Sequence, residues 1–248
     1  LGSTVMADAF FVAFRIPNFF RRVLAEGAYS AALIPVFSGV VLSPKDEREA
    51  SDFVENTTSM LLFVTLFLTI IFFFGMPFII QVLAPGFTDN KEAYELAVHF
   101  GKIVFPYIIF ISLAAHFASI NNVHERFAAG AFAPAILNIS FILSLFVLTP
   151  LLPSAGHALS YGVLVGGVLQ FLYLYWTVLK FYRPRIRIPV LNDKLKMTPE
   201  HSSKLISKIK HEVRKVNGAF NAVWHNESLS NQDRWKGWRS VFETTWLD

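Results

Sequence analysis

Five charged side chains lie in a stretch, residues 8–35, whose other residues are typical of a membrane helix. An Arg, Lys or Asp near the middle of a bilayer costs roughly 2.5 to 3.5 kcal/mol, so the five charges together oppose insertion into lipid. They must therefore face protein or water. The charged residues are Asp8, Arg15, Arg21, Arg22 and Glu26.

The three arginines of this stretch are suited to binding an anion, because a guanidinium group matches phosphate oxygens bidentately and is strong in a cavity of low dielectric constant. The alternative is internal pairing with Asp8 and Glu26. Arg22 and Glu26 are four residues apart, which is a pairing distance along a helix. Arg21 has no partner at such a spacing, so the sequence leaves both interpretations open.

The helical period places most of these charges on one face. At 100° per residue, four of the five fall within about 40° of one another, whereas Arg21 points away. The four are Asp8, Arg15, Arg22 and Glu26, and the residues opposite them are Phe10, Phe14 and Phe20. This pattern predicts a helix with one wet face, interrupted at Pro17, Gly27 and Pro35.

The histidines and the motif content favour structural roles over catalysis. His116 lies deep in an apolar segment, where a lone histidine is more often a hydrogen-bonded core residue than a proton relay or a metal ligand. We expect His99, His124 and His157, near segment ends, to face water. The chain has no cysteine and none of the common hydrolase, metalloprotease or nucleotide-binding motifs, so we predict no enzyme activity, no catalytic residue, no metal site and no cofactor.

Long uncharged runs and a hydrophobic content of 54% predict a membrane protein, because a crossing needs about 20 apolar residues. The fold class expected is all-α, a polytopic helix bundle of about five transmembrane helices followed by a soluble, helical C-terminal tail. A polar loop is expected at residues 43–52, and polar amides inside the bundle are expected to bond between helices, among them Asn18, Asn121 and Gln170. The predicted crossings are residues 8–41, 60–83, 92–120, 131–148 and 157–181.

The distribution of Lys and Arg predicts the orientation. A basic cluster after the fifth crossing, from Lys180 to Lys196, indicates that this end is cytoplasmic, and the loops near residues 43–52 and 121–126 then lie on the same side. The net charge of +4 is too small to suggest nucleic acid as a partner. Because the chain begins at Leu1 without a Met or a signal peptide, we expect a segment to precede it.

The sequence ADAFFVAFRIPNFFRRVLAEGAYSAALIPVF, residues 7–37, closely resembles the second-helix signature of the MurJ (MviN) lipid II flippases. Further similar segments are LAPGF at 83–87, FPYIIFISLAA at 105–115, FAPAILNIS at 132–140 and GVLVGGVLQ at 162–170. The resemblance covers roughly residues 1–200. It predicts two parts: residues 1–196, similar to helices two to six of a lipid II flippase, and an unrelated polar tail at 197–248.

The resemblance implies a transporter of the multidrug/oligosaccharidyl-lipid/polysaccharide (MOP) superfamily, with two lobes around a cationic cavity. Such a protein would move lipid II, the undecaprenyl-pyrophosphate-linked precursor of peptidoglycan biosynthesis, across the bacterial inner membrane by alternating access. Arg21 matches an important cavity arginine and Asp8 a functional acidic residue; Arg15, Arg22 and Glu26 belong to the same signature. Membrane lipids are the other expected partners, because the basic run after Lys180 can also contact anionic headgroups.

The sequence also departs from the family. The first helix and the second lobe, which carry further arginines in the family, have no counterpart here, so this partial N-terminal lobe is expected to be inactive alone or to associate with a missing second lobe. Two alternatives remain at this stage. One is an exporter of another lipid-linked oligosaccharide or of a drug; the other is a non-transporting membrane scaffold whose tail carries the function.

Overall fold

The structure is a computed structural model, and in the part of the chain that it describes all regular secondary structure is helical. This confirms the all-α fold. Two compact units, Leu1–Pro189 and Val190–Asp248, divide the chain. The described residues are 5–22, 28–41, 47–189 and 238–247, with isolated positions between 203 and 214.

The helices of the first unit are numbered in chain order. They are α1 (Val5–Arg21), α2 (Ala28–Val41), α3 (Glu47–Leu83), α4 (Lys91–Val104), α5 (Tyr107–Val123), α6 (Phe127–Leu148) and α7 (Ala155–Val178), with a short 3-10 turn at Pro85–Phe87 before α4.

Among the described residues, four helical stretches are long and apolar enough to cross a membrane, and they overlap the last four predicted crossings. The predicted first crossing corresponds to α1 and α2, which have 17 and 14 residues. Each is shorter than the roughly 20 residues of a straight crossing. Residues 23–27, which would join them, lie outside the described residues, so one broken crossing remains a prediction. The four stretches are Arg48–Leu83, Lys91–Val123, Phe127–Leu148 and Ala155–Val178.

Two helix boundaries differ from the predicted ones, at the start of α3 and between α4 and α5. α3 begins at Glu47, inside the stretch predicted as a polar loop, because Glu, Arg and Ala are good helix formers and Ala50 packs into the core. The predicted third crossing is divided into α4 and α5 at residues 105–106. Pro106 lacks a backbone N–H and stands at the N-terminal cap of α5, where that N–H is not needed.

The described residues of the first unit form two core clusters at opposite ends of the bundle. One joins α1, the C-terminal part of α3, α4 and the start of α7 around Phe100 and Phe105. The other joins α2, the N-terminal part of α3, the end of α5 and the end of α7 around Phe37 and Phe117. The charged helix α1 therefore packs at one end, and its successor α2 packs at the other.

Small residues bring α6 and α7 into close contact. A Cβ on Gly162 would lie 2.8 Å from Ser144 Cβ, so no larger residue fits without movement. Ser140 Oγ also donates a 2.8 Å hydrogen bond to the carbonyl oxygen of Gly162. Gln170 Nε2 donates to the carbonyl oxygen of Ala133 at 2.8 Å, which confirms the interhelical role predicted for this amide.

The second unit is described mainly by helix α8, Trp238–Leu247. Along it, Arg239 Nε lies 3.2 Å from Glu243 Oε1, an exposed pair one turn apart. The spacing of Leu205, Ile209 and Val213 predicts an amphipathic helix over residues 202–217, and this segment lies largely outside the described residues. The division of the chain at residues 196/197 remains a prediction.

Candidate functional site

Helix α1 positions the candidate site by burying one face and exposing the other. The buried face is made of small and apolar side chains, among them Ala9, Phe10 and Ala13, which pack into the cluster with α4. Asp8 in the first turn and Arg21 in the last turn both complement the helix dipole. Burial of the apolar face thus determines the rotation of α1, and the charged side chains lie on the opposite, exposed face.

Two of the predicted site residues, Asp8 and Arg15, lie on the exposed face of α1, and Arg22 follows its last residue directly. Asp8, Arg15 and Arg22 are all exposed, as the helical period predicts. Within the part of the chain that the structure describes, none of these three side chains has a hydrogen bond or an ion pair, so no internal pairing of Asp8 with an arginine is found there. Because unpaired charges are costly in lipid, this face requires water or another protein surface.

Arg21 has a different environment. It is half-buried, and its Nε donates a 2.9 Å hydrogen bond to Asn18 Oδ1 one turn earlier. Asn18 therefore makes a contact within α1, where an interhelical bond was expected. The bond fixes one edge of the guanidinium at the end of the helix. Glu26 lies outside the described residues, so its predicted pairing with Arg22 remains a prediction.

Two aromatic residues on the same face escaped sequence reasoning. Phe11 and Phe19 are each 61% exposed, as are other phenylalanines on the outer surface of the bundle, such as Phe67 and Phe74. At 100° per residue they fall beside Asp8 and Arg15, so the arithmetic used for the charges would have identified them. The exposed face of α1 therefore combines cations with apolar surface.

His116 is a hydrogen-bonded core residue, as predicted. It is fully buried in α5, its Nδ1 lies 2.9 Å from the hydroxyl of Tyr29, and its Nε2 lies 3.0 Å from Thr58 Oγ1. Tyr29 belongs to α2 and Thr58 to α3, so the imidazole joins three helices. A neutral imidazole has one donor and one acceptor nitrogen, and each hydroxyl can take either role. The sequence did not reveal these partners.

The other histidines differ in their exposure to solvent. His99 is exposed, as expected, whereas His157 and His124 are partly buried and hydrogen-bonded. His157 Nδ1 lies 2.7 Å from Ser154 Oγ, and His124 Nε2 lies 3.1 Å from the hydroxyl of Tyr182. Among the residues that the structure describes, no group of three or more His, Asp or Glu is arranged to hold a metal ion.

His124, in the turn between α5 and α6, makes stability depend on pH. Burial, and then the charge of Arg126, lower the pKa of His124 below its usual value of 6.5. The unfolded chain therefore binds more protons than the folded chain below about pH 6.5, and stability decreases as the pH falls through that value. We expect the melting temperature of the wild type to fall between pH 8 and pH 5 more than that of His124→Gln. An equal fall in both proteins would contradict this prediction.

Comparison with known proteins identifies similar chains throughout the first unit. The family model described as "Lipid II flippase MurJ" matches residues 1–218, which extends beyond residue 200. The lipid II flippase MurJ of Burkholderia cenocepacia is 36% identical over 171 residues, covering 69% of this chain and 33% of the relative. The probable lipid II flippase MurJ of Rhizobium tropici is 39% identical over 181 residues, covering 71% and 33%.

A solved structure shows the same helical arrangement. It is titled lipid II flippase MurJ in an inward closed conformation, and the match has a TM-score of 0.63 and 27% identity. The match covers 86% of this chain and 42% of that chain. The present chain thus spans about a third of the length of the two relatives above and less than half of the solved structure.

Proposed function

Because the chain belongs to the lipid II flippase MurJ family, we propose that it forms part of a flippase for the undecaprenyl-pyrophosphate-linked precursor of peptidoglycan. In this proposal it spans the inner membrane of a bacterium, with the start of α3 and the end of α7 on the cytoplasmic side. It is a transporter that works by alternating access and not an enzyme. The support comes from the family, from the four apolar spans and from the charge on α1.

The observation that carries the proposal is the exposed face of α1. Arg15 and Arg22 project from it without partners among the described residues. A pyrophosphate offers oxygens that guanidinium groups bind through charge-assisted hydrogen bonds. Phe11 and Phe19 add apolar surface beside these cations, which suits a ligand whose anionic group is attached to a hydrocarbon chain.

We assign separate roles to the remaining candidates. Arg21, whose Nε donates to Asn18 Oδ1, is proposed to contact the pyrophosphate at the end of α1. Asp8, two turns before Arg15, repels an anion and is proposed to meet donor groups of the headgroup. Glu26 is proposed to balance the charge of Arg22 when no ligand is bound.

A second lobe is proposed to complete the cavity. The charged face of α1 cannot be left against lipid, since each buried charge there would cost roughly 2.5 to 3.5 kcal/mol. The chain covers about a third of the two relatives compared with it, and the rest of such a protein is proposed to supply this surface. Transport is therefore expected only when a complementary lobe is present, whereas binding of the lipid is testable on this chain.

The test is binding of undecaprenyl pyrophosphate to the detergent-solubilised chain, measured by native mass spectrometry. We expect Arg21→Ala to weaken binding about tenfold or more, because a charge-assisted hydrogen bond contributes about 1.5 to 3 kcal/mol. Lys91→Ala is the matched control, since Lys91 is an exposed cation that contacts Glu95 at 3.8 Å. Equal affinity of Arg21→Ala and the wild type would exclude the proposed role of Arg21.

Two further measurements separate this function from the alternatives. Competition between lipid II and other polyprenyl-linked sugars distinguishes a lipid II flippase from an exporter of a different lipid-linked sugar. Removal of residues 201–248 tests the scaffold alternative, because lipid binding should persist without the tail if α1 carries the site.

A further inference from the structure

The segment that follows α7, residues 179–189, lies across the start of α3, and we call it the strap. It has no regular secondary structure after its initial turn. From the sequence, its basic residues are treated as one group that marks orientation and can contact anionic headgroups. The structure separates them, because Arg187 is turned toward α3 while Arg183 and Arg185 remain exposed.

Arg187 binds the strap to α3 through hydrogen bonds and ion pairs. Its Nη1 lies 3.1 Å from Asp52 Oδ1 and 3.6 Å from Glu55 Oε2, and its Nη2 donates to the Asp52 carbonyl oxygen at 2.6 Å. Its backbone N–H also donates to Ser59 Oγ at 3.0 Å. Ser59 is fully buried beneath the strap. These contacts fix the position of the strap along α3.

That position coincides with the boundary of the hydrocarbon layer. α3 has 37 residues, which corresponds to about 55 Å, whereas the hydrocarbon layer is about 30 Å thick. All the charged residues of α3 precede Ser59, and none follows it as far as Leu83. The apolar part of α3 therefore begins just after Ser59, and Arg187 lies at the level of this boundary.

The strap is exposed in a way that fits a lipid surface. Ile186 and Ile188 are 68% and 84% exposed, which is unfavourable in water but not at the edge of the acyl chains. Arg183 and Arg185, also exposed, are close enough in the chain to reach the headgroups at the same depth. Just before them, Lys180 Nζ lies 4.9 Å from the ring of Trp176, an arrangement typical of a membrane interface.

We propose that the strap is a binding site for anionic phospholipid headgroups, in which Arg187 acts as a positioning residue. Arg183, Arg185 and Lys180 contact the lipid phosphates, and Ile186 and Ile188 insert at the acyl boundary. Arg187 contacts α3 and no lipid, but it holds the other side chains at the required depth. This proposal depends on the chain spanning a membrane and does not depend on the flippase activity.

The test compares binding of phosphatidylglycerol and phosphatidylcholine to the full chain by native mass spectrometry. Each cation near an anionic surface strengthens binding about fivefold, so we expect the wild type to prefer phosphatidylglycerol by at least tenfold. The double variant Arg183→Gln, Arg185→Gln should lose most of this preference. The control, Lys91→Gln with Lys102→Gln, removes the same charge from α4 and should retain it.

Arg187→Gln tests the positioning role, since it leaves Arg183 and Arg185 intact. We expect it to reduce the lipid preference at least threefold. If that variant does not fold, Asp52→Asn, which removes the closest carboxylate of the contact, should reduce the preference in the same direction. No preference in the wild type, or a preference retained in the Arg183/Arg185 double variant, overturns the site. A preference retained in both Arg187→Gln and Asp52→Asn overturns the role of Arg187.

Discussion

Replacement of His116 by alanine is expected to lower the free energy of unfolding by about 2–5 kcal/mol, the range for truncating a large buried side chain. His116 is fully buried, and its ring joins the hydroxyl groups of Tyr29 and Thr58. The alanine variant loses the packing of the ring and leaves both hydroxyls without this partner. Thermal unfolding in detergent, followed by circular dichroism of the helices, measures the effect.

The two partners provide graded controls for this prediction. Tyr29→Phe and Thr58→Val each remove one hydrogen bond and keep the shape of the side chain, so each should cost about 1 kcal/mol. In a double-mutant cycle, Tyr29→Phe should cost less when His116 is already alanine, because the bond is then absent. Additive effects would show that the hydroxyl and the imidazole do not interact. A melting temperature of His116→Ala equal to that of the wild type would contradict the prediction as a whole.

The spans were predictable because lipid imposes a simple requirement on sequence. An uncharged run of about 20 residues is typical of a transmembrane helix and shows where it begins and ends. For this reason α6 and α7 lie close to their predicted bounds. The start of α3 was not predictable by that criterion. Four of the residues 47–52 are charged, and a charged segment outside the bilayer can be helix or loop with similar ease.

The exposed face of α1 was predictable from the helical period. Burial of Phe10 and Ala13 determines the rotation of the helix, and the 100° period then places Asp8 and Arg15 on the opposite side. The partners of His116 were not predictable, because Tyr29 and Thr58 are 87 and 58 residues away along the chain. Such pairs depend on how helices pack, which no local pattern specifies.

The second large effect on stability is predicted at the contact between α6 and α7. Gly162→Ala is expected to lower the free energy of unfolding by about 1–3 kcal/mol, the usual cost of overpacking a core. The added Cβ would meet Ser144 Cβ at 2.8 Å and would also touch Ser144 Oγ. To relieve this overlap the helices must separate, which weakens the 2.8 Å hydrogen bond from Ser140 Oγ to the carbonyl oxygen of Gly162. Thermal unfolding of the variant in detergent measures the loss.

Gly75 gives the matched control because the same substitution should there have the opposite sign. The nearest atom to a Cβ on Gly75 is Ile79 Cδ1 at 3.8 Å, an ordinary contact within α3. Gly75→Ala should therefore stabilise the helix by about 0.5–1 kcal/mol through reduced backbone entropy in the unfolded chain. If close approach is the cause at Gly162, Ser144→Gly should recover stability in the Gly162→Ala variant, since it removes the two Ser144 atoms that overlap the new Cβ. If Gly162→Ala is as stable as Gly75→Ala, the space between α6 and α7 accommodates the added Cβ and the prediction is wrong.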